Sequence, residues 1–266
     1  MRQQDLHTHS LFDDGKNTLG QMALAAQAAG LSAIGLSGHS PLPFPNDWAI
    51  PEARFGDYLA EARRLREAYR EDFRVWVGLE WDTRSPEPPA ELDYVIGSVH
   101  GLPAFDAGFN VDESAEALRA CLDTVYAGDA RAMEAAYYAG YDKIAANPRV
   151  DIVGHFDLIT KYDEPHAVFS AMPDCAVRAM EKLVKAGKIF EINTGAIARG
   201  YRQTPYPSEP LLRQLRELGG KILLNSDAHS AGWLGFDRTE ALALAGRCGF
   251  TELWQYDGAA FVPVKL

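Results

Sequence analysis

The stretch Asp5-Leu6-His7-Thr8-His9-Ser10 places two imidazoles two residues apart at the start of the chain. In an extended strand successive side chains alternate faces, so His7 and His9 point the same way and can reach one divalent ion. The polar turn Asp13-Asp14-Gly15 follows at once. An isolated His-x-His pair is as readily an ordinary surface pair, so its meaning depends on what recurs downstream.

What recurs is a strand ending in a polar residue. Ser32 to Ser37 reads as a strand that runs into Gly38-His39, and Phe73 to Leu79 as one that delivers Glu80-Trp81-Asp82. Tyr94 to Val99 leads to His100, Asp151 to Gly154 to His155, and Lys221 to Leu224 to Asn225-Ser226-Asp227-Ala228-His229. Ile189 to Asn193 is a further strand. Helical patterns separate them: Thr18 to Gly30 with Thr18 as N-cap, a charged amphipathic run from Glu52 to Glu71, two helices between Asp112 and Ala146 split near Gly128, then Asp174 to Ala186, Ser208 to Gly219 and Asp237 to Cys248. Thr251 to Val264 closes the chain as one or two short strands.

Such alternation argues for parallel strands joined by crossover helices. With no composition break, residues 1–266 read as a single α/β barrel domain of seven strands. An open doubly wound sheet would gather its polar residues at one switch point, whereas here they end nearly every strand. A closed barrel brings those ends to one mouth.

Composition sets the outer bounds. A 47% hydrophobic and 24% charged chain is an ordinary globular one, and a formal charge of −11 argues against nucleic acid or an anionic membrane as partner. Three widely spaced cysteines, Cys121, Cys175 and Cys248, suit a reducing compartment. The N-terminus carries no apolar signal segment, and a cytoplasmic protein is expected.

Collected, the polar strand ends are His7, His9, Asp14, His39, Glu80, His100, His155, Asp227 and His229. Six of the seven histidines are among them, and only His166, in a loop after the fifth strand, is left out. Scatter does not produce that pattern; a metal cluster does. Imidazole with carboxylate and no thiolate suits Zn, Mn or Fe(II), and nine candidate ligands are enough for two or three ions. Glu80, with two oxygens, is the best bridge. Paired ions about 3.5–4 Å apart serve hydrolysis of phosphate esters, clamping attacking and leaving oxygens.

The motifs Asp-Leu-His7-Thr-His9-Ser, Asp14-Gly15, Gly38-His39-Ser-Pro-Leu-Pro, Gly-Leu-Glu80, Ile-Gly-Ser-Val-His100, Gly-His155-Phe-Asp-Leu and Asn-Ser-Asp227-Ala-His229 resemble the polymerase-and-histidinol-phosphatase (PHP) family, within it the monofunctional histidinol-phosphate phosphatases. The resemblance runs in order from residue 5 to about 235. It implies a distorted seven-stranded barrel with a trinuclear site, hydrolysing L-histidinol phosphate in histidine biosynthesis. It further implies that His7, His9, Glu80 and Asp227 hold one ion, Glu80, His100 and His155 a second, and Asp14, His39 and His229 a third. Catalytic roles fall to Glu80, Asp227 and His229.

A phosphate monoester needs cations beyond the metals. Similar phosphatases place basic residues in the loops after His155 and after Asn193, which makes Arg199 and Lys161 the expected phosphate clamp, with Arg202 in reserve. In the Pro-rich loop after His39, Phe44 or Trp48 is expected to cover an imidazole and Asp47 or Asp82 to neutralise an amino group. Tyr137-Tyr138 and Tyr201-Tyr206 read as packing. No activated Ser or Cys stands at the mouth, so no phosphoenzyme is expected. Three alternatives compete: a phosphoesterase of the same family acting on a nucleotide, sugar phosphate or phosphotyrosyl peptide; a polymerase-associated module; and an amidohydrolase, which the missing bridging lysine disfavours.

Overall fold

The computed structural model describes residues 3–71, 73–102, 109–164 and 167–266. Seven parallel strands form one sheet in sequence order: β1 (Gln4–Asp5), β2 (Ala33–Leu36), β3 (Arg74–Asp82), β4 (Tyr94–Ser98), β5 (Ile152–Val153), β6 (Ile189–Asn193) and β7 (Lys221–Asn225). The two ends of the sheet meet just past β1 and β7. Thr8 bridges Ala228 in parallel, the His9 N–H donates to the Ala228 carbonyl at 3.0 Å, and the Ala228 N–H donates to the His7 carbonyl at 3.1 Å. The result is the nearly closed (β/α)7 barrel that the alternation of strands and helices led us to expect.

The first strand is shorter than its sequence suggests. Pairing with β2 stops at Asp5, and side chains take over the backbone donors: Leu6 N–H goes to Asn225 Oδ1 at 2.9 Å and Thr8 N–H to Ser37 Oγ at 3.0 Å. Released from the ladder yet held extended, His7 and His9 stand above the last rung.

The helices surround the sheet. α1 (Leu19–Ala28) begins at Thr18, whose hydroxyl accepts from Gln21 N–H while the Gln21 side chain accepts from Thr18 N–H, a reciprocal capping box. α2 (Glu52–Tyr69) packs with it over β2 and β3. Among the described residues between β4 and β5 lie three helices rather than two: α3 (Ala115–Val125), α4 (Ala130–Ala139) and α5 (Tyr141–Ala146). The first break is at Ala127 and Gly128, both at positive φ. The second is at Gly140, where a Cβ would collide with Val99. Next come α6 (Asp174–Lys185), α7 (Gly195–Ala198), α8 (Glu209–Glu217) and α9 (Arg238–Arg247). The one-turn α7 lies in a stretch that the sequence reads as loop, and it lifts Arg199 to the mouth.

The barrel interior divides into an apolar floor and a polar top. Leu6, Tyr94, Ile96, Ile152, Ile189 and Leu223 fill the lower half, each buried aliphatic side chain contributing about 1.5–3 kcal/mol. Tyr94 crosses the interior to donate to the Leu6 carbonyl, and it fits because Gly35 and Gly78 leave the space a Cβ would take. The antiparallel hairpin of β8 (Glu252–Tyr256) and β9 (Phe261–Lys265) closes the bottom, with Tyr256 joining that floor. Among the described residues no helix is long and apolar enough to cross a membrane.

Candidate metal centre

Above the apolar floor, at the C-terminal ends of the strands, lies a cavity of about 560 Å³. All nine expected residues converge here. His7 and His9 come from the segment after β1, Asp14 from the turn beyond it, His39 from after β2, and Glu80 from within β3. His100, His155, and the pair Asp227 and His229 follow β4, β5 and β7. His7 and His9 are buried beneath the cavity, and the other seven line it.

Glu80 is the centre of the arrangement. Its Oε1 lies 2.9 Å from His155 Nε2, 3.4 Å from His100 Nε2 and 2.7 Å from Ser98 Oγ. Its Oε2 lies 2.8 Å from His39 Nδ1, 3.1 Å from His7 Nε2 and 3.6 Å from His9 Nε2. One carboxylate therefore faces two groups of imidazoles, one with each oxygen. Asp227 stands opposite, with Oδ1 3.0 Å from His9 Nε2 and 3.7 Å from His7 Nε2. It sits at φ 49°, a left-handed conformation costly for a residue with a Cβ, and is backed by Gly195, where a Cβ would strike it.

Three groupings have one ligand atom per residue within 4.8 Å of the others: His7, His9 and Glu80; His39, Glu80 and His100; and His9, Asp14, His39 and His229. They overlap the three sets that the resemblance implies without coinciding. His9 also approaches the Asp14 group, and His39 also approaches Glu80 and His100. His155 reaches the cluster through Glu80 Oε1.

A divalent cation fits these residues. His7 Nε2, His9 Nε2, His39 Nδ1 and Glu80 Oε2 are buried and face one another, yet make no hydrogen bond. Orphaned donors and acceptors at such depth are costly unless something binds them. The donor set, imidazole and carboxylate oxygen without thiolate, is that of Zn, Mn or Fe(II).

The electrostatics agree. Burial opposes charge on Glu80, but the adjoining His39 and His7 prevail and hold its carboxyl well below the usual carboxylate range. Burial likewise opposes a proton on His9, and the Asp13 carboxylate prevails, pushing the imidazole up to about 10. At neutral pH the cluster thus presents anionic carboxylates, and a cation entering it displaces protons.

The basic residues divide. Arg199 lines the cavity with Nη2 3.0 Å from Asp227 Oδ2 and Nη1 3.0 Å from His229 Nδ1. Lys161 also lines it, its ammonium 3.1 Å from Asp112 Oδ2 and 4.7 Å from the centre of the Tyr201 ring. Arg202 does not. Its guanidinium is buried away from the cavity, donating to the Thr160 carbonyl at 3.1 Å and hydroxyl at 2.5 Å, with Tyr206 beneath at 4.5 Å.

Aromatic and acidic candidates sort the same way. Trp48 meets His39 edge-on at 4.7 Å and lines the cavity, while Phe44 lies against Arg84 instead. Asp47 is exposed outside the cavity. Asp82 is buried, with both oxygens taken by Arg84 and His100, so it has none left for an amino group. Tyr137, Tyr138 and Tyr206 are buried, whereas Tyr201 is on the rim at 49% exposure. His166 lies outside the described residues.

Three acids, Asp112, Glu191 and Asp13, have no role in the sequence reading, and a fourth, Asp82, has a different one. Asp112, from the segment before α3, lines the cavity beside Asn110 and Glu113. Burial raises its carboxyl, but Lys161 prevails and sets it at about 2. Glu191, Asp13 and Asp82 lie outside the cavity, each against a histidine: Glu191 Oε2 is 2.9 Å from His7 Nδ1, Asp13 Oδ2 2.7 Å from His9 Nδ1, and Asp82 Oδ2 2.9 Å from His100 Nδ1. Glu191 did leave a trace in the sequence, a lone charge within the apolar strand Ile-Phe-Glu-Ile-Asn.

Known proteins resemble this chain over most of its length. A "Probable histidinol-phosphatase" of Deinococcus radiodurans is 29% identical over 252 residues, 90% of each chain. The histidinol-phosphatase of Bacillus subtilis is 26% identical over 265 residues, 89% of this chain and 97% of that one. Among solved structures, the histidinol phosphate phosphatase of Lactococcus lactis, crystallised with zinc, L-histidinol and phosphate, superposes with a TM-score of 0.71 at 21% identity, covering 98% of this chain and 99% of that one. A Listeria monocytogenes structure superposes with a TM-score of 0.75 at 18% identity, covering 90% of this chain and 99% of that one. The model of the PHP domain matches residues 5–195, and the chain belongs to the PHP domain family.

Proposed function

We propose that residues 1–266 form one metal-dependent phosphomonoesterase that hydrolyses L-histidinol phosphate to L-histidinol and phosphate, the dephosphorylation step of histidine biosynthesis in the cytoplasm. One observation carries the reading: six imidazoles and two further carboxylates gathered around Glu80 at the base of a cavity of about 560 Å³ whose wall holds Arg199 and Lys161. The histidinol-phosphatases that align over nine-tenths of the chain support the choice of substrate.

His7, His9, Glu80 and Asp227 would hold one ion, Glu80, His100 and His155 a second, and Asp14, His39 and His229 a third; zinc, manganese and iron all suit the donors. Bound there, divalent ions supply a hydroxide at neutral pH and Lewis acidity toward the phosphoryl oxygens. Glu80, Asp227 and His229 are the catalytic set, since all three line the cavity where the phosphoryl group is received. Arg199 offers a planar fork to two phosphate oxygens and Lys161 a point charge, each a charge-assisted contact that strengthens as the transition state spreads negative charge. Their partners Asp227 and Asp112 keep both cations oriented before substrate arrives.

The rest of the cavity suits an amino alcohol. Asp112 and Glu113 form an acidic wall for the α-ammonium, the role first expected of Asp47 or Asp82. Trp48 presents an aromatic surface to the imidazole.

The test is phosphate release by the zinc- or manganese-loaded protein from L-histidinol phosphate and from a nucleotide, a sugar phosphate, phosphotyrosine and an aryl phosphate. The expected result is a kcat/KM for L-histidinol phosphate at least tenfold above every other substrate. Equal rates on all five would refute the substrate, and no release from any would refute the activity.

A further inference from the structure

Each of the three histidines that touch an acid outside the cavity is held between two carboxylates. The Nδ1 atoms of His7, His9 and His100 lie 2.9, 2.7 and 2.9 Å from Glu191, Asp13 and Asp82. Their Nε2 atoms face inward, to Glu80 at 3.1 Å, Asp227 at 3.0 Å and Glu80 at 3.4 Å. The outer acids have few lone pairs left over. Asp13 also accepts from Ser10 N–H at 2.7 Å and His39 N–H at 3.1 Å, and Asp82 from Arg84. Glu191 accepts from four groups: His7, the His155 N–H at 2.8 Å, Asn193 Nδ2 at 2.7 Å and Asn225 Nδ2 at 2.8 Å. Among the described residues no such acid stands behind His39, His155 or His229: His155 Nδ1 makes no hydrogen bond, and His229 Nδ1 meets the Asp227 carbonyl and Arg199 Nη1, each at 3.0 Å.

We propose that Glu191, Asp13 and Asp82 are positioning residues that keep the proton of His7, His9 and His100 on Nδ1 and so leave Nε2 free to bind a cation, with Glu191 governing the tightest ion. An ionised carboxylate only accepts, so a histidine against it donates. Glu191 meets the ring of His7 and anchors the backbone of His155, as Asp13 meets the ring of His9 and the N–H of His39. The sites built on His7, His9 and His100 are thereby preset. The one built on Asp14, His39 and His229 has no carboxylate against an outward ring nitrogen, only the Asp13 contact to the His39 N–H, and exchanges its ion more readily.

The geometry makes Glu191→Gln a sharp probe. The His155 N–H cannot turn away and Asn193 Nδ2 donates to the same oxygen, so the oxygen of the amide stays on that side, and its NH2 faces both His7 Nδ1 and the Asn225 Nδ2 donor. His7 Nδ1 then becomes the acceptor, and its proton moves to Nε2, the atom needed for the ion.

The inference rests on the metal-centre reading of this site but not on the identity of the phosphate ester. Zinc bound at equilibrium is counted by elemental analysis over a series of buffered free-zinc concentrations, for the unaltered protein, Glu191→Gln, Glu191→Asp and Asp13→Asn. The tightest binding step is expected to weaken about 10–100-fold in Glu191→Gln and in Asp13→Asn, the range typical when a ligand histidine loses its outer partner. Glu191→Asp, which keeps the charge, should lose less than Glu191→Gln. Nitrogen-15 spectra of the imidazoles should place the His7 proton on Nε2 in Glu191→Gln and on Nδ1 in the zinc-loaded unaltered protein, a change that a purely structural role does not produce. If Glu191→Gln does not fold, Asp13→Asn decides alone. Zinc curves that superpose on that of the unaltered protein overturn the proposal and leave the phosphatase reading intact. An unaltered protein that binds zinc but releases no phosphate has the opposite effect.

Discussion

Replacing Arg202 with Met separates a structural arginine from a substrate-binding one. Its guanidinium has no exposed surface and ties the segment after α7 to the turn at Thr160. Methionine keeps most of the buried stem but abandons the Thr160 carbonyl and the Thr204 carbonyl, which Arg202 reaches at 3.1 and 3.2 Å. A hydrogen bond to a charged group contributes about 1.5–3 kcal/mol, and the stacking on Tyr206 adds about 1–2 kcal/mol. Freedom from desolvating the cation offsets part of that sum, leaving a loss of about 3–5 kcal/mol. For a chain of this size that is a fall in Tm of roughly 6–20 °C. Thermal unfolding followed by circular dichroism measures it, and steady-state phosphate release at a temperature well below the transition gives the kinetics. No substrate contact is removed, so KM should stay within about threefold of its original value. An unchanged Tm with a KM raised tenfold or more would refute the reasoning and return Arg202 to the phosphate.

The residues facing the cavity should behave in the opposite sense. Lys161→Met and Arg199→Met each remove a charge-assisted contact worth about 1.5–3 kcal/mol, so kcat/KM should fall roughly 10–150-fold; an unchanged value would remove that residue from the clamp. Gly35→Ala drives a methyl into Tyr94 and the Leu6 backbone, and overpacking of this kind costs about 1–3 kcal/mol, measurable by urea titration. Exhaustive dialysis against a chelator should abolish phosphate release and lower Tm, and added zinc or manganese should restore both, since an ion bound only by the folded state stabilises it by mass action. Activity that survives loss of all metal would refute the metal-centre reading.

The barrel and the convergence at its mouth were legible because both are periodic. A strand that delivers His, Glu or Asp signals itself within a few residues, and six such units among seven strands in order leave a closed parallel barrel as the arrangement that joins their ends. His7, His9, Glu80 and Asp227 could be named on that basis alone. What the sequence could not carry was the work of residues whose partners lie far away along the chain. Glu191 stands 184 residues from His7, and Asp227 touches His9 across the seam that closes the barrel. Arg202 and Arg199 are three residues apart in one loop, and nothing local separates them. The one-turn α7 faces Arg199 to the cavity, while the chain beyond it folds Arg202 into the body of the protein. Likewise Asp82 was an available carboxylate until Arg84 and His100 closed around it. Residue type and spacing determined which groups could do chemistry here; only the tertiary packing decided which of them face the cavity and which hold the others in place, because a side chain's partners depend on burial and distance in space.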